Sequence, residues 1–343
     1  MRKYGTIQNF GLISIGFRVN QYQIRFERMF KGKKDLVLTK GSIGKALFHL
    51  SLPILVMNLL MMTYNLTDTF WLGRLGSDAL AAIGFSFPLI FLFQSIGIGL
   101  AVAGGVLIAQ YEGSGNDKMV DYTASQTITF GVLASALFGL LGFLLADQLL
   151  IIYGASESVF PLGLSYLRII FLGIWGMFGF MVVRSLMRGY GDSRSPMYIM
   201  AGSIALNVVL DPLLIFGWGF FPALGIEGAA VATIFSRILA FVVGLLLLNW
   251  GGTGVEIHIS NMVPDFGFLK KILKVGAPAS LGTAGRAISV NLIIAVVGMF
   301  ATEVVAGYQI GVRFIVLVLY SAMAFGRGVE TMTGQNIGAG NFD

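Results

Sequence analysis

Apolar stretches longer than about eighteen residues recur throughout this sequence. A stretch of that length crosses the ~30 Å hydrocarbon core of a bilayer as an α-helix. The composition agrees, since 56% of the residues are hydrophobic and 12% are charged, which is too apolar for a soluble domain of 343 residues. We therefore predict an all-α polytopic membrane protein.

Charge and residue usage exclude several classes of partner and chemistry. The net charge of +6 is concentrated in residues 1–40, so it gives no reason to expect nucleic acid as a partner. We predict that residues 1–44 form a basic cytoplasmic tail that lies on the anionic inner leaflet. The alternative is that Met29 is the true start, which would leave most of the tail outside the fold. The chain has no cysteine, and His49 and His258 lie far apart, so we expect no disulfide and no Cys- or His-based metal site.

Hydropathy and polar breaks predict eight membrane-spanning helices, each long enough to cross the bilayer. Along the chain, connections rich in Lys and Arg alternate with connections whose only basic residue is Arg74. The positive-inside rule therefore places the N-terminus and the basic connections in the cytoplasm, in a multi-pass protein of the plasma membrane. The predicted helices cover residues 47–72, 81–109, 121–146, 160–187, 196–219, 226–249, 271–298 and 304–333.

The sequence contains an internal repeat. Residues 45–118 align without gaps on residues 270–343, and the loops AQYEGSGN and GQNIGAGN occupy the same position in the two copies. Six predicted spans separate the copies, so both run in the same direction through the membrane. Parallel repeats of this kind occur in transporters, with binding sites near the repeat interface. Matched pairs include Pro53 and Pro278, Gln110 and Gln335, Gly113 and Gly338, and Asn116 and Asn341.

The repeat predicts the domain organisation. We expect a six-helix N-terminal lobe at 45–249, a cytoplasmic linker at 250–270, and the first two helices of a second, parallel-repeat lobe at 271–343. On this interpretation the second unit lacks its last four helices, and we expect that a cavity between the lobes does not close fully around it. We expect the protein to be a monomer.

Few ionisable residues fall at membrane depth, and each costs roughly 2.5 to 3.5 kcal/mol at a helix centre unless it has a partner or a function. Arg327 and Glu330 lie one turn apart and are expected to neutralise each other. The arginines at this depth are expected to snorkel or to meet an acidic side chain. Apart from Arg327 and Glu330, the ionisable residues at membrane depth are Asp68, Arg168, Asp211, Arg237, Arg286 and Arg313.

Asp68 and Asp211 are the candidate coupling site. Asp68 ends a polar stripe that begins at Asn58 and Asn65, and Asp211 follows Asn207 by one turn and precedes a proline that frees a backbone carbonyl. At about 1.5 Å per residue both acids fall in the outer half of the bilayer, where they can share one site. Two carboxylates in an apolar pocket favour uptake of a proton or a sodium ion, because a second negative charge is disfavoured there. The alternative is that each Asp only braces a helix. In the second repeat copy Ile293 replaces Asp68, which favours an ion site over a packing role.

Four segments together resemble the MATE family, the multidrug and toxic compound extrusion transporters. They are LSLPILVMNLLMMTYNLTDTFWLGRLGSDALAAIGFSFP (50–88), RGYGDSRSPM (188–197), NVVLDPLLIFGWGFFPALGIEGAAVAT (207–233) and GQNIGAGN (334–341). The resemblance covers about 42–343 and implies two six-helix lobes that exchange sodium or protons for organic cations. It also implies that Asp68, Asn207 and Asp211, with Thr233, form the cation site, and that the first helix bends at Pro53. No other cofactor or metal is implied.

The substrate pocket is predicted more weakly. Methionines and polar residues of the first and fourth helices suit a cavity that admits varied flat cations. The same residues also suit contacts with lipid or with other helices. The candidate lining residues are Met61, Tyr64, Asn65, Met177 and Met181.

Other functions compete with a cation-coupled drug antiporter. A flippase for lipid-linked oligosaccharides or polysaccharides, built on a related fold, would need basic residues in the central cavity, and Arg286 is the best candidate. An intramembrane aspartyl protease is disfavoured because Asp192 of the GYGD string lies in a cytoplasmic loop. ATP-driven export is disfavoured because no phosphate-binding loop motif is present. We therefore expect a transporter and not an enzyme.

Overall fold

A computed structural model describes residues 38–219, 221–249, 254–297 and 302–342 of the chain. The predicted tail at 1–44 lies almost wholly outside this part. In the described residues the regular structure is helical, with a short 3-10 helix at Ile259–Met262 in the linker. The helices are α1 (Ile43–Gly73), α2 (Ser77–Gly113), α3 (Asp117–Ile152), α4 (Phe160–Tyr190), α5 (Arg194–Phe216), α6 (Ile226–Asn249), α7 (Phe266–Val297) and α8 (Thr302–Gly338).

The predicted all-α membrane fold is confirmed. Within the described residues, the first six helices are each long and apolar enough to cross a bilayer. The predicted order of eight helices also holds, although most helices extend several residues beyond the predicted bounds. Helix α6 keeps the predicted bounds of 226–249. Helix α5 was predicted to reach residue 219 and ends at Phe216, because Gly217 adopts a left-handed conformation with φ of 72°.

The interior of the bundle is built around α4, which packs against α2, α3 and α6. Glycines allow close approach at these crossings, as is common where membrane helices meet. A side chain at Gly173 or Gly179 of α4 would collide with Ile234 or Phe241 of α6. Outside this group, α5 packs on α1 and α6. The outer helices α1 and α5 can therefore contribute side chains to one site.

The repeated loops adopt the same backbone structure. The amide of Asn116 donates to the carbonyl of Tyr111, and the amide of Asn341 donates to the carbonyl of Asn336, both at 2.9 Å. In each copy the glycine before the asparagine has a positive φ, 68° at Gly115 and 75° at Gly340. The same helix-ending motif therefore closes α2 and α8.

The two repeat copies also meet through matching contacts. A Cβ atom at Gly113 would collide with the backbone carbonyl of Gln335, and one at Gly338 would collide with the backbone carbonyl of Gln110. Each contact becomes the other when the copies are exchanged. Likewise α7 packs on α2 as α1 packs on α8. The repeat is thus a pseudo-twofold arrangement in space as well as in sequence.

The linker before α7 is fixed to α3. The side chain of Gln126 donates to the carbonyls of Asn261 and Val263 at 2.6 and 2.7 Å and accepts from the amide of Asp265 at 3.0 Å. The hydroxyl of Tyr122 donates to Asp265 at 2.7 Å. These bonds set the position at which α7 begins.

Candidate functional site

The carboxyl groups of Asp68 on α1 and Asp211 on α5 lie within hydrogen-bonding reach of each other. Asp211 is completely buried, and Asn207, one turn earlier on α5, is 1% exposed. The amide nitrogen of Asn207 donates to Oδ1 of Asp211 at 3.2 Å. The predicted polar residues of α5 therefore face α1 and form one site with Asp68.

Several oxygen atoms of this site have no hydrogen-bond partner among the described residues. They are Oδ1 of Asp68, Oδ2 of Asp211 and Oδ1 of Asn207, and each of these atoms is buried. Pro212 lies inside α5 and has no amide hydrogen to give to the carbonyl of Val208. Buried acceptors without donors are rare and costly. A proton or a small cation would satisfy them, because one protonated carboxyl group can donate to the other.

Tyr64 and Thr233 extend the site towards α6. The Tyr64 hydroxyl lies 2.8 Å from the Thr233 hydroxyl and within hydrogen-bonding reach of Asp68. Tyr64 is 7% exposed and Thr233 is 5% exposed. Tyr64 was expected in the substrate pocket, whereas its position gives it contact with the carboxyl pair.

Arg237 is the residue of this site that sequence reasoning did not assign. Its guanidinium lies 5.1 Å from the centre of the Tyr64 ring and interacts electrostatically with Asp68. Its nitrogens donate to the sulfur atoms of Met200 at 2.9 Å and Met61 at 3.3 Å. Arg237 follows Thr233 by one helical turn, and this spacing was the signal that places both on one face of α6.

A narrow gap runs between α1, α5 and α6 beside the carboxyl pair. It is too tight to hold a water molecule in this conformation. Each of the three helices contributes at least one polar side chain to its walls. The lining residues are Tyr64, Ser203, Ile204, Asn207, Thr233, Ser236 and Arg237.

The other predicted lining residues are not gathered at this site. Met177 of α4 instead accepts a hydrogen bond from Gln94 of α2 at 3.8 Å. Met181 lies partly buried against the main apolar cluster. The backbone carbonyl of Asn65 accepts a hydrogen bond from the hydroxyl of Thr69. Asn58 belongs to the same predicted polar stripe, and its side-chain amide donates to the carbonyl of Tyr320 on α8 at 3.0 Å.

Pro53 lies buried inside α1, which continues through it from Ile43 to Gly73. The hydroxyl of Ser193 donates to the carbonyl of Leu50 at 3.0 Å, which joins this part of α1 to the start of α5. The bend implied at Pro53 by the family resemblance stays a prediction.

The remaining ionisable residues have different surroundings. Arg327 and Glu330 form the expected pair, with a 2.6 Å hydrogen bond. Arg168 is exposed, and its guanidinium lies 5.5 Å from the centre of the Phe143 ring. Arg286 is also exposed, and its guanidinium lies 4.0 Å from the sulfur of Met323. The side chain of Arg313 lies outside the described part.

A second polar group lies in the linker region, away from the carboxyl pair. His258 lies 3.8 Å from Asp121 and 3.9 Å from Glu256, and ligand atoms of the three residues fall within 4.8 Å of one another. Side chains of these types can hold a metal ion. No metal site was expected at His258 from the sequence, because Asp121 lies in α3 and only the folded linker brings it next to Glu256 and His258.

Comparison with known proteins shows what this arrangement is similar to. The MatE family model matches residues 53–213 and 278–343. The chain is 34% identical over 307 residues to the "Probable multidrug resistance protein YpnP" of Bacillus subtilis (strain 168), covering 88% of this chain and 67% of the relative. It is 31% identical over 306 residues to the "FAD transporter" of Shewanella oneidensis (strain MR-1), with coverage of 88% and 67%.

Solved structures agree with the sequence comparison. The fold superposes with a TM-score of 0.80 and 27% identity on an outward-facing multidrug resistance MATE transporter of the MOP superfamily. The match covers 90% of this chain and 68% of that chain. The chain therefore spans about two thirds of the length of the proteins that it resembles.

Proposed function

This chain belongs to the MatE family, and we propose that it is a proton- or sodium-coupled antiporter that exports organic cations and other drug-like molecules by alternating access. It would act in the plasma membrane with its N-terminus in the cytoplasm. The single observation that carries the proposal is the contact between the carboxyl groups of Asp68 and Asp211.

The chemistry of the pair supports coupling to a cation. Two carboxylates at this distance repel each other, and both sit in an apolar bundle, so the pair is stable only with a proton or cation between them. Opening the site to water would remove that constraint and release the ion.

The pseudo-twofold arrangement supports alternating access. Among the described residues, α7 and α8 contact the first six helices at points such as Gly276 against Gly99 and Gly328 against Ser51. These contacts belong to an interface between parallel repeats, and such repeats can rock about their interface so that a central site faces each side of the membrane in turn.

Two kinds of cargo fit these features, drug-like molecules and anionic molecules. The names of the relatives favour drugs as cargo. One relative is named a transporter of FAD, a dinucleotide with two phosphates. Buried arginines in this chain favour an anionic cargo of that kind or the lipid-linked sugar of a flippase, and Arg237 is the clearest of them. Arg286 was the predicted cavity-facing arginine, whereas the structure places Arg237 in the polar gap.

Transport across proteoliposomes tests the coupling. Efflux of a fluorescent organic cation is measured under an imposed proton gradient and then under a sodium gradient, for the parent chain and for Asp211→Asn. We expect one gradient to drive transport in the parent chain and neither to drive it in Asp211→Asn, because an amide takes up no proton.

Asp78→Asn is the matched control, since Asp78 is an exposed acid at the start of α2. Gradient-driven transport should survive this change. Equal coupling in Asp211→Asn and in the parent chain would remove the basis of the proposal.

A further inference from the structure

The linker between α6 and α7 brings an imidazole and two carboxylates together near the start of α3. Nε2 of His258 lies 3.8 Å from Oδ2 of Asp121 and 3.9 Å from Oε2 of Glu256. These distances are too long for hydrogen bonds, so the imidazole faces both carboxylates without bonding to either. One ligand atom from each of the three residues lies within 4.8 Å of the other two. We call Asp121, Glu256 and His258 the linker cluster.

The linker presents Glu256 and His258 on one side because its backbone is extended there. His258 has φ of −109° and ψ of 123°, and successive side chains of an extended chain point to opposite sides. Val255 is completely buried and Ile257 packs against the main apolar cluster. These two apolar side chains hold the linker on the bundle and turn Glu256 and His258 to the other side, where Asp121 lies.

Backbone hydrogen bonds fix the register of the linker on α3. The amide of Glu256 donates to Oδ1 of Asp121 at 2.9 Å, and the amide of His258 donates to the hydroxyl of Ser125 at 3.3 Å. Asp121 and Ser125 lie one helical turn apart, so they share a face of α3. Because Oδ1 is fixed by an amide, the Asp121 carboxylate presents Oδ2 to His258. Outer bonds of this kind orient the ligands of metal sites.

The separations suit a tetrahedral metal ion. Two ligands bound at about 2.1 Å to such an ion lie about 3.4 Å apart, so the distances from His258 need to shorten by about 0.5 Å. The side chains of Glu256 and His258 are 46% and 49% exposed, which gives them room for this adjustment. The same exposure leaves space for a water molecule as the fourth ligand, as in zinc sites with three protein ligands.

The charge and the ligand types favour Zn²⁺ over other common cations. Asp121 is 8% exposed, and its carboxylate and that of Glu256 repel each other at this separation. A divalent cation balances both negative charges, whereas Na⁺ balances only one. Mg²⁺ and Ca²⁺ prefer sites made of oxygen ligands, while an imidazole with carboxylates suits Zn²⁺.

We propose that the linker cluster binds Zn²⁺ and that the bound ion fastens the linker to α3. The ligands come from two segments, so all three reach the ion only while the linker is docked, and binding stabilises the docked state by mass action. The linker leads into α7, where the second repeat copy continues. The ion would therefore set how firmly the second repeat is attached to the first six helices. The site goes beyond the proposed transport function and depends neither on the cargo nor on the coupling ion.

Calorimetric titration of the full chain in nanodiscs with Zn²⁺ tests the proposal, after treatment with a chelator and without a histidine tag. Empty nanodiscs give the background. The chain itself adds little background, because it has no cysteine and its only other histidine is His49. We expect a single Zn²⁺ to bind at least about tenfold more tightly than Mg²⁺, because the imidazole favours the transition metal.

Variants localise the ion. His258→Ala and Glu256→Gln should each weaken Zn²⁺ binding at least about tenfold, since even the loss of an outer-shell partner commonly costs that much. Both side chains are about half exposed and both backbone amide bonds remain, so the variants should unfold at the parent temperature without metal. If His258→Ala fails to fold, Glu256→Gln carries the test.

His49→Ala is the matched control for the loss of an imidazole. Nδ1 of His49 lies 3.4 Å from the guanidinium of Arg194, whose positive charge disfavours a metal cation there. This variant should bind Zn²⁺ as tightly as the parent chain.

Hydrogen exchange read by mass spectrometry tests the effect of the ion on the linker. We expect Zn²⁺ to slow exchange of the Glu256 and His258 amides in the parent chain, because the ion holds the linker on α3. In His258→Ala the same addition of Zn²⁺ should leave their exchange unchanged.

The failing outcomes are distinct. Zn²⁺ binding no greater than that of empty nanodiscs would overturn the site and leave the cluster as a place where protonated His258 pairs with the two acids. Equal losses in His49→Ala and His258→Ala would also overturn it. Binding without slower exchange would overturn the fastening of the linker. Asp211→Asn should bind Zn²⁺ like the parent chain, so a failure of ion coupling and a failure of the metal site are told apart.

Discussion

The hydroxyl of Tyr64 on α1 lies 2.8 Å from the hydroxyl of Thr233 on α6. This bond joins a helix of the repeat interface to the interior of the bundle, beside the carboxyl pair. We expect Tyr64→Phe and Thr233→Val each to reduce ion-driven efflux, because each removes one polar partner near Asp68.

The effect of the Tyr64–Thr233 bond is measurable as a double-mutant cycle. The two changes together should cost about as much as one alone, since either breaks the same bond. Initial rates of efflux under the driving gradient give the four values. Strictly additive losses would show that the two hydroxyl groups act independently.

The crossing of α2 and α8 should not tolerate a side chain. In Gly338→Ala the new methyl group would collide with the backbone carbonyl of Gln110, which cannot move aside as a side chain can. We expect a loss of stability of about 1–3 kcal/mol, read as a lower thermal unfolding temperature in detergent.

Gly326→Ala is the matched control for this crossing, because nothing lies within 4 Å of the added atom on the same helix. That change should leave stability equal or slightly raised, since alanine favours the helix over glycine by about 1 kcal/mol. Equal unfolding temperatures for the two variants would contradict the close contact.

The start of α7 should be sensitive to acid. The hydrogen bond from Tyr122, with bonds from the amides of Phe268 and Gly267, holds the pKa of the partly exposed Asp265 carboxyl below its usual value. A carboxyl group with a lowered pKa in the folded protein stabilises it above the unfolded pKa of about 3.9, and this contribution is lost as the pH falls through the folded pKa.

Thermal unfolding of the parent chain and Asp265→Asn between pH 7 and pH 3 checks this sign. We expect Asp265→Asn to unfold at a lower temperature at neutral pH, and the difference to disappear at the acid end. A difference that grew towards low pH would mean that the carboxylate is not held by these donors.

The helices, the repeat and the partnership of Asp68 with Asp211 were open to prediction because each follows from a one-dimensional pattern. Long apolar runs give the helices, a constant shift in register gives the repeat, and depth along the helix places both acids in the outer half of the bilayer. The repeat also indicated that Asp68 does not serve helix packing, because Ile293 replaces it in the second copy.

The surroundings of Arg237 did not follow from the sequence. A helical pattern gives the depth of a side chain but not the rotation of its helix against its neighbours, so an inward-facing arginine and a snorkelling one look alike. The Asp121, Glu256 and His258 group was missed for a related reason, since the linker brings distant positions together through bonds of Gln126. Such contacts are set by tertiary structure and cannot be read from the sequence pattern alone.

The paired glycine contacts of α2 and α8 have a consequence for motion. Where backbone lies directly on backbone, with no interlocking side chains between them, two helices can pivot about the crossing while little buried surface is exposed. Because the two contacts are related by exchange of the repeats, a tilt of one helix end is matched by an equal tilt of the other. Helices α2 and α8 can therefore pivot about the contacts of Gly113 with Gln335 and of Gly338 with Gln110.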